Sequence, residues 1–406
     1  MRLLHSADWH LGQTLHGVSR DHEHGLFLDW LLGQLEEHAV DVLVVAGDVF
    51  DGQNPPVGAQ RLLYRFLARA RRLRPALTVV LIAGNHDSGG RLEAPSPLLD
   101  ELGVHVVGAL GDPGRLVVPL PGPDGETAAW CAAVPYLRLS DLEITEAAEA
   151  GGPDPVVEGV RAVYNRVFEA ARTRRQPGQA LIATGHCYMA GGALSELSER
   201  RILGGNLHAL PADLFPADVD YVALGHLHRA QRVGGREAVR YSGSPLPLAL
   251  SEAGYRHQVV LATFREGALA GLDTLPVPRF VQILRLSGRP EQLPALLAAL
   301  PQAADRRERD GWPLLELTVS LERPEPGLRA AVDELLAGRA VRLVRLATES
   351  GGDGRSLADG AGAVALATLA PEDVFRRCWQ RSHRAEPAPE HLAAFHELLD
   401  GAEADF

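Results

Sequence analysis

The chain has 406 residues, 46% of them hydrophobic and 23% charged, enough for two or three folded domains and typical of a soluble globular protein. No apolar run is long enough to span a bilayer, which argues against a membrane location. A formal net charge of -12 excludes a protein that holds nucleic acid by its overall field, so contact with a polyanion requires a local patch, bound cations or a partner.

The opening "MRLLHSADWH" reads as a short buried strand that ends in Asp8 and His10. It lacks the long apolar region and small-residue cleavage site of a secretory signal. The three cysteines, Cys131, Cys187 and Cys378, show no metal-ligand or disulfide spacing, and together these features predict a reducing cytoplasm. A helical period over Leu26–His38 leads to a second strand, "VDVLVVAGDVFD", which ends in Asp48. A further helix, Ala59–Leu73, carries an apolar stripe of Ala59, Leu62, Leu63, Phe66, Leu67 and Ala70, read on its own as intramolecular core. Its arginine cluster, Arg65, Arg69, Arg71, Arg72 and Arg74, fits either a solvated helix face or a phosphate track. The third strand, in "LTVVLIAGNHD", runs out into Asn85, His86 and Asp87. Two later strands, in "ALIATGHCYM" and "YVALGHLHRA", end in His186 and in His226 with His228. This alternation predicts α/β layering, and in such folds ligands gather beyond the carboxyl ends of the strands.

From about Phe280 the pattern changes. "VQILRLSG", "LLELTVSLE" and "VRLVRLATE" alternate like half-buried strands, and "EQLPALLAALP" and "LRAAVDELLAG" between them are helical, so a small separate α+β domain is expected. The Gly-, Ala- and Asp-rich Glu349–Ala363 segment fits a flexible linker. Two short amphipathic helices follow between Glu372 and Leu399, with Val374, Phe375, Trp379, Leu392, Phe395, Leu398 and Leu399 as their large apolar residues. Helices this short are marginal alone, so their apolar faces should be buried against something.

The strand ends supply Asp8, His10, Asp48, Asn85, His186, His226 and His228, all oxygen or imidazole donors and none a thiolate. Such a set suits Mn, Fe or Zn better than Ca and argues against structural zinc. It exceeds what one transition metal takes, so a pair of ions is the natural inference, and Asp48 is the best candidate to bridge them. Any single member has a plainer reading: a strand-end histidine is more often structural, Gly-Asp is common in turns, and Asn85 alone could cap a helix. Five segments that each end in metal donors are hard to obtain by accident.

The ordered set D-x-H, G-D, G-N-H-D, G-H and G-H-x-H resembles the signature of the calcineurin-like metallophosphoesterases. In detail "LHSADWHLGQ", "VAGDVFD", "LIAGNHDS", "IATGH", "YVALGHLHRAQ" and "RYSGSPLPL" look like the nuclease subunits of bacterial DNA-repair complexes within that family, from Met1 to about Leu250 and more loosely beyond, including "PEDVFRR" in the tail. The resemblance implies two packed β-sheets flanked by helices over residues 1–275, a capping domain over 276–348, a linker over 349–369 and a helical partner-binding tail over 370–406. It implies one metal on Asp8, His10, Asp48 and His228, a second on Asp48, Asn85, His186 and His226, and manganese as the activating ion. His86 would face the scissile phosphate as the catalytic residue. Asp87 and Asp51 would support the site or its turns, Asp51 standing where archaeal and eukaryotic members carry a second histidine. The activity implied is exonuclease action on duplex ends and endonuclease action on single strands or hairpins, near the nucleoid. The partners implied are DNA, an SMC-like ATPase bound through the tail, and a second copy of the chain within a heterotetramer. A small-molecule phosphodiesterase on the same core is the alternative; it leaves the extra domain, linker and tail without a purpose. A non-catalytic scaffold would have no need of the intact donor set.

Overall fold

The structure is a computed structural model. It describes residues 1–144, 154–192, 209–303, 306–323 and 325–350, with scattered positions between 372 and 395. Strands are numbered in chain order. In the first six-stranded sheet, β1 (Arg2–Ser6), β4 (Val42–Ala46), β5 (Thr78–Ile82) and β6 (Val104–Val107) run parallel, and β13 (Gln258–Arg265) and β14 (Ala268–Pro276) close one edge antiparallel. In the second, β8 (Thr127–Val134), β9 (Ala180–His186), β10 (Tyr221–Gly225) and β12 (Arg236–Tyr241) are parallel, and β7 (Val117–Pro121) and β11 (Gln231–Val233) pair antiparallel at the edges. A ribbon of β2 (Thr14–Leu15) and β3 (Val18–Ser19) lies between β1 and the first helix.

Strand periodicity explains the layering. Leu3, Val42, Val44, Ala46, Val80 and Ile82 point to the face shared with Ala132, Ile182 and Val222 of the second sheet. Their neighbours Leu4, Leu43, Val45, Val79 and Leu81 point the other way, against α1 (Asp21–Glu37) and α2 (Val57–Leu73). Strands buried on both faces have no room for an alternating polar set, which is why they read as continuous apolar runs. The stripe on α2 goes into this second core: Ala59, Leu63, Phe66, Leu67 and Ala70 are buried in it, with Leu62 half-buried beside them. Much of its arginine cluster is engaged within the chain. Arg69 pairs with Asp29, Arg71 donates to the Leu77 carbonyl at 3.2 Å, and Arg74 lies 3.8 Å from Asp41.

The first helix starts at Asp21, five residues before the apolar period begins. Its first turn exposes Asp21 and His22 but buries two polar residues: Glu23 takes a two-pronged ion pair from Arg20, at 2.5 and 2.8 Å, and His24 is buried next to it in the chain. A hydrophobic pattern cannot register burial that an ion pair makes tolerable.

A third, three-stranded sheet holds β15 (Ile283–Gly288), β16 (Leu314–Leu321) and β17 (Arg342–Ser350), with helices Leu293–Ala298 and Leu328–Leu335. Through Val319, and again over Pro326–Ala347, it belongs to one compact unit with the two larger sheets. Ile283, Val281 and Leu314 pack with Leu15 and Leu250. Glu349 and Ser350 close β17, and the rest of the linker expected over 349–369 lies outside the described residues. In the second unit, helical positions at Phe375 and Phe395 stack with ring centroids 4.4 Å apart, and Trp379 lies 4.2 Å from His391. Val374, Leu398 and Leu399 of the expected tail helices lie outside the described residues.

Candidate metal centre

Parallel strands in both sheets end on one side, and the loops that leave them meet. Beyond β1 the chain keeps its hold on the segment after β4: Asp8 N–H donates to the Gly47 carbonyl, His10 N–H to Asp48 and Leu11 N–H to Val49, each at 3.0 Å. Trp9 is fully buried between Phe27 and Phe66, edge-on at 5.8 and 5.5 Å, and its indole N–H donates to the Ser6 hydroxyl at 2.8 Å. Removing such an anchor costs roughly 3–5 kcal/mol. With Trp9 pinned against the helices, Asp8 and His10 are left to face the cluster.

The backbone here is strained. Asp8, His10, Asp48 and His226 have positive φ of 54°, 47°, 48° and 106°, four of the seven such non-glycine residues among those described. Backbone in this region persists only where its surroundings over-determine it, and it concentrates at functional sites. Two glycines are required by contact: a Cβ on Gly47 would stand 2.2 Å from His186 Nδ1, and one on Gly84 2.1 Å from Asp48 Oδ1.

The seven expected donors come together around Asp48. Its Oδ2 is 3.4 Å from His10 Nε2 and 3.3 Å from His186 Nε2. On one side Asp8, His10 and His228 bring their ligand atoms within 4.8 Å of one another, and Asp8, Asp48 and His186 form a second such group. On the other, Asn85 Oδ1 lies 3.0 Å from both His186 Nε2 and His226 Nδ1. Asp8, His10, Asp48, His186 and His228 are buried, and Asn85 and His226 half-buried.

His86 sits at the rim, its ring centroid 4.7 Å from that of His10. A ring nitrogen of His86 also comes within 4.8 Å of donor atoms on His10 and Asp48. Its Nδ1 is 3.0 Å from the Asp51 carbonyl, which directs Nε2 away from that contact, and its backbone N–H donates to Asp48 Oδ1 at 2.9 Å. Asp87 points back into the protein and accepts from the N–H groups of Val49, Phe50 and Gly84 at 2.9–3.0 Å. It joins the third loop to the second. Burial and the nearby Asp48 raise its pKa to about 6 in spite of those three donors.

Three groups orient the histidines, and of these sequence reasoning named Asp51 as a support but missed Glu252 and the Ala46 carbonyl. His228 Nδ1 lies 2.9 Å from Glu252, a carboxylate with no exposed surface that also accepts from Leu248 N–H at 2.7 Å. His10 Nδ1 is 3.1 Å from Asp51, and His186 Nδ1 is 2.8 Å from the Ala46 carbonyl. With each Nδ1 engaged, Nε2 is the atom left for the cluster, as in carboxylate–histidine–metal arrangements. The one sequence signal for Glu252 is an acid in the otherwise apolar run "PLPLALSEAG". Glu252→Gln is expected to lower divalent-metal affinity roughly 10–100-fold while the far-ultraviolet circular dichroism stays that of the wild type. Calorimetric titration with Mn²⁺ measures it, and unchanged affinity would mean that His228 needs no such partner.

The donor chemistry calls for cations. Asp8 Oδ2 and His226 Nε2 are buried without a hydrogen-bond partner, and His10 Nε2 has only its 3.4 Å approach to Asp48. Burial raises the Asp8 pKa. Burial acts the same way on Asp48, but His186 and His10 outweigh it and hold that carboxyl well below its usual range. Burial would lower both histidines, yet Asp48, with Asp51 acting on His10, lifts His10 to about 10 and His186 to about 9. His226, buried beside His186, falls to about 3.

A family model described as calcineurin-like phosphoesterase matches residues 1–230, the class that two facing sheets and a shared donor cluster define. A second model, described as a type 5 capsule protein repressor C-terminal domain, matches residues 279–383. Three relatives are named as the SbcD component of the nuclease SbcCD. The protein from Rhodobacter capsulatus is 46% identical over 85% of this chain and 87% of its own. That from Escherichia coli is 38% identical over 78% of each chain, and that from Bacillus subtilis 36% identical over 79% and 80%. The chain belongs to the SbcD family of calcineurin-like phosphoesterases.

Proposed function

We propose that this chain is the metal-dependent nuclease subunit of an SbcCD-type complex and hydrolyses DNA phosphodiesters at the cluster around Asp48. The observation that carries this reading is the shared Asp48 carboxylate between two groups of buried donors, in a chain of this family. Asp8, His10, Asp48 and His228 would hold one divalent cation, and Asp48, Asn85, His186 and His226 the other. Manganese is the ion proposed, because carboxylate, amide and imidazole donors without thiolate suit it. Such a pair supplies Lewis-acid polarisation of the phosphodiester and a nucleophilic water near neutral pH. The protein's own part is positional: Glu252, Asp51 and the Ala46 carbonyl fix three imidazoles, and His86 aims Nε2 at the reacting phosphate to protonate the departing oxygen.

The proposed activities are exonuclease action from 3′ ends of duplex DNA and endonuclease action on single strands or hairpins, beside the nucleoid. The proposed partners are the ATPase SbcC, docked on the tail at residues 370–406, and a second copy of the chain. The domain limits proposed are 1–275, 276–348, 349–369 and 370–406. The aromatic contacts in the tail support a folded docking element, and the exposed Val57 and Leu98, on helices that follow the second and third motifs, support a homodimer. The test compares Mn²⁺-stimulated cleavage of linear duplex DNA with hydrolysis of bis(p-nitrophenyl) phosphate. Cleavage of both is expected. Hydrolysis of the small diester alone would replace the nuclease reading with that of a small-molecule phosphodiesterase.

A further inference from the structure

The cluster opens into a cavity of about 370 Å³, within the roughly 300–1,000 Å³ of typical ligand sites. His10, His86, His228 and Asp51 line one side, and two cations from the third sheet, Arg285 and Arg345, reach it from the other. These two arginines are a built pair. Glu316, opposite Arg285 in register and only 11% exposed, receives Arg285 Nε on one carboxylate oxygen at 2.8 Å and Arg345 on the other at 3.0 Å. Ile283, two residues before Arg285 on the same strand face, packs with Leu15 and Leu250, which also line the cavity. The sheet is therefore held at the cavity rim.

The charge arithmetic favours an anionic occupant. On the third-sheet side of the cavity one carboxylate against two guanidiniums leaves a local charge of about +1, across from the Asp51 carboxylate, in a chain whose net charge is -12 and which contains no lysine. Each guanidinium has five N–H donors in a planar fork, and Glu316 engages one nitrogen of each. Both side chains remain about half exposed, at 51% and 48%. An ion pair made only for stability would gain little there. Forks fixed by a shared carboxylate but still open to solvent suit a phosphodiester oxygen.

We propose that Arg285 and Arg345 form a clamp for a backbone phosphate next to the scissile one, so that the site selects polynucleotide strands over small phosphodiesters. The proposal rests on the nuclease reading and assigns these arginines positioning, not chemistry. The test uses the full chain loaded with Mn²⁺ and carrying both Arg285→Gln and Arg345→Gln. KM for a duplex oligonucleotide is expected to rise roughly 10-fold or more, with kcat little changed. Both constants for bis(p-nitrophenyl) phosphate should stay at wild-type values. Anisotropy of a labelled duplex in EDTA gives a readout independent of catalysis: affinity should fall in step, and the slope of log affinity against log salt should shrink by about 1, as for the loss of one neutralised phosphate. A second variant with lysine at both positions keeps charge without the fork; its salt slope should hold while KM rises. Unchanged KM and salt slope, or an equal loss on the small diester, would overturn the clamp. A wild-type chain that hydrolyses the small diester but neither binds nor cuts DNA would instead defeat the nuclease reading beneath it.

Discussion

Replacing Asp48 with asparagine is expected to empty both halves of the metal cluster. Asp48 Oδ2 approaches His10 and His186 almost equally, at 3.4 and 3.3 Å, so it is the donor the two halves share. A neutral amide bridges two cations poorly. The loss of affinity should exceed the roughly 10–100-fold that follows removal of a partner that only orients a ligand. Metal content after gel filtration measures it, and a full complement of ions in the variant would remove Asp48 from the bridge.

The same substitution should change how the metal-free protein responds to pH. Folded-state values of about 10 for His10 and about 9 for His186 stand above the 6.5 of an unperturbed histidine. A pKa raised on folding contributes stability that is fully present below 6.5 and is lost as pH rises through the folded values. Metal-free wild type should therefore become less resistant to urea between pH 6.5 and 10, and Asp48→Asn should flatten that decline because it removes the charge that lifts both histidines. With metal bound, ions replace the protons and the decline should largely vanish. Parallel slopes for wild type and variant in EDTA would show that Asp48 does not set these histidines.

What the sequence made legible follows from where donors sit along the chain. Asp8, His10, Asp48, Asn85, His186, His226 and His228 each stand within a few residues of a buried strand's end, so an apolar run points straight at them. Parallel strands in two facing sheets then bring those ends together. Glu252 was hidden because it meets His228 from 24 residues away, in a short turn that no hydrophobic period marks. The supports that Ala46 and Asp51 give through their carbonyl oxygens carry no residue identity at all. The early start of α1 was hidden for another reason, since Glu23 and His24 look like surface residues until Arg20 is seen to bury with them. The third sheet's strands were readable from alternation, but the meeting of Arg285 and Arg345 on Glu316 depends on strand order, which alternation does not specify.

Replacing His86 with serine should separate chemistry from metal binding. His86 is the histidine of the cluster that lies on the cavity wall with Nδ1 held by a backbone carbonyl, so its free nitrogen can meet a phosphodiester without a donor being taken from either ion's proposed set. Its contact with Asp48 runs through the main chain, which serine preserves. Metal content should therefore match the wild type, while kcat for DNA falls by roughly 10²–10⁴, the range of a lost general acid. The leaving group supplies the sharper discrimination. An alkoxide leaving from DNA needs a proton as the bond breaks, whereas p-nitrophenolate is stable without one. The variant's deficit should accordingly be large on DNA and small on bis(p-nitrophenyl) phosphate. Equal deficits on the two substrates would make His86 a general electrostatic stabiliser of the phosphate, and loss of an ion from the variant would make it a ligand, as its 4.8 Å grouping with His10 and Asp48 geometrically permits. Metal analysis and the two rate constants, taken on one preparation, separate these three roles.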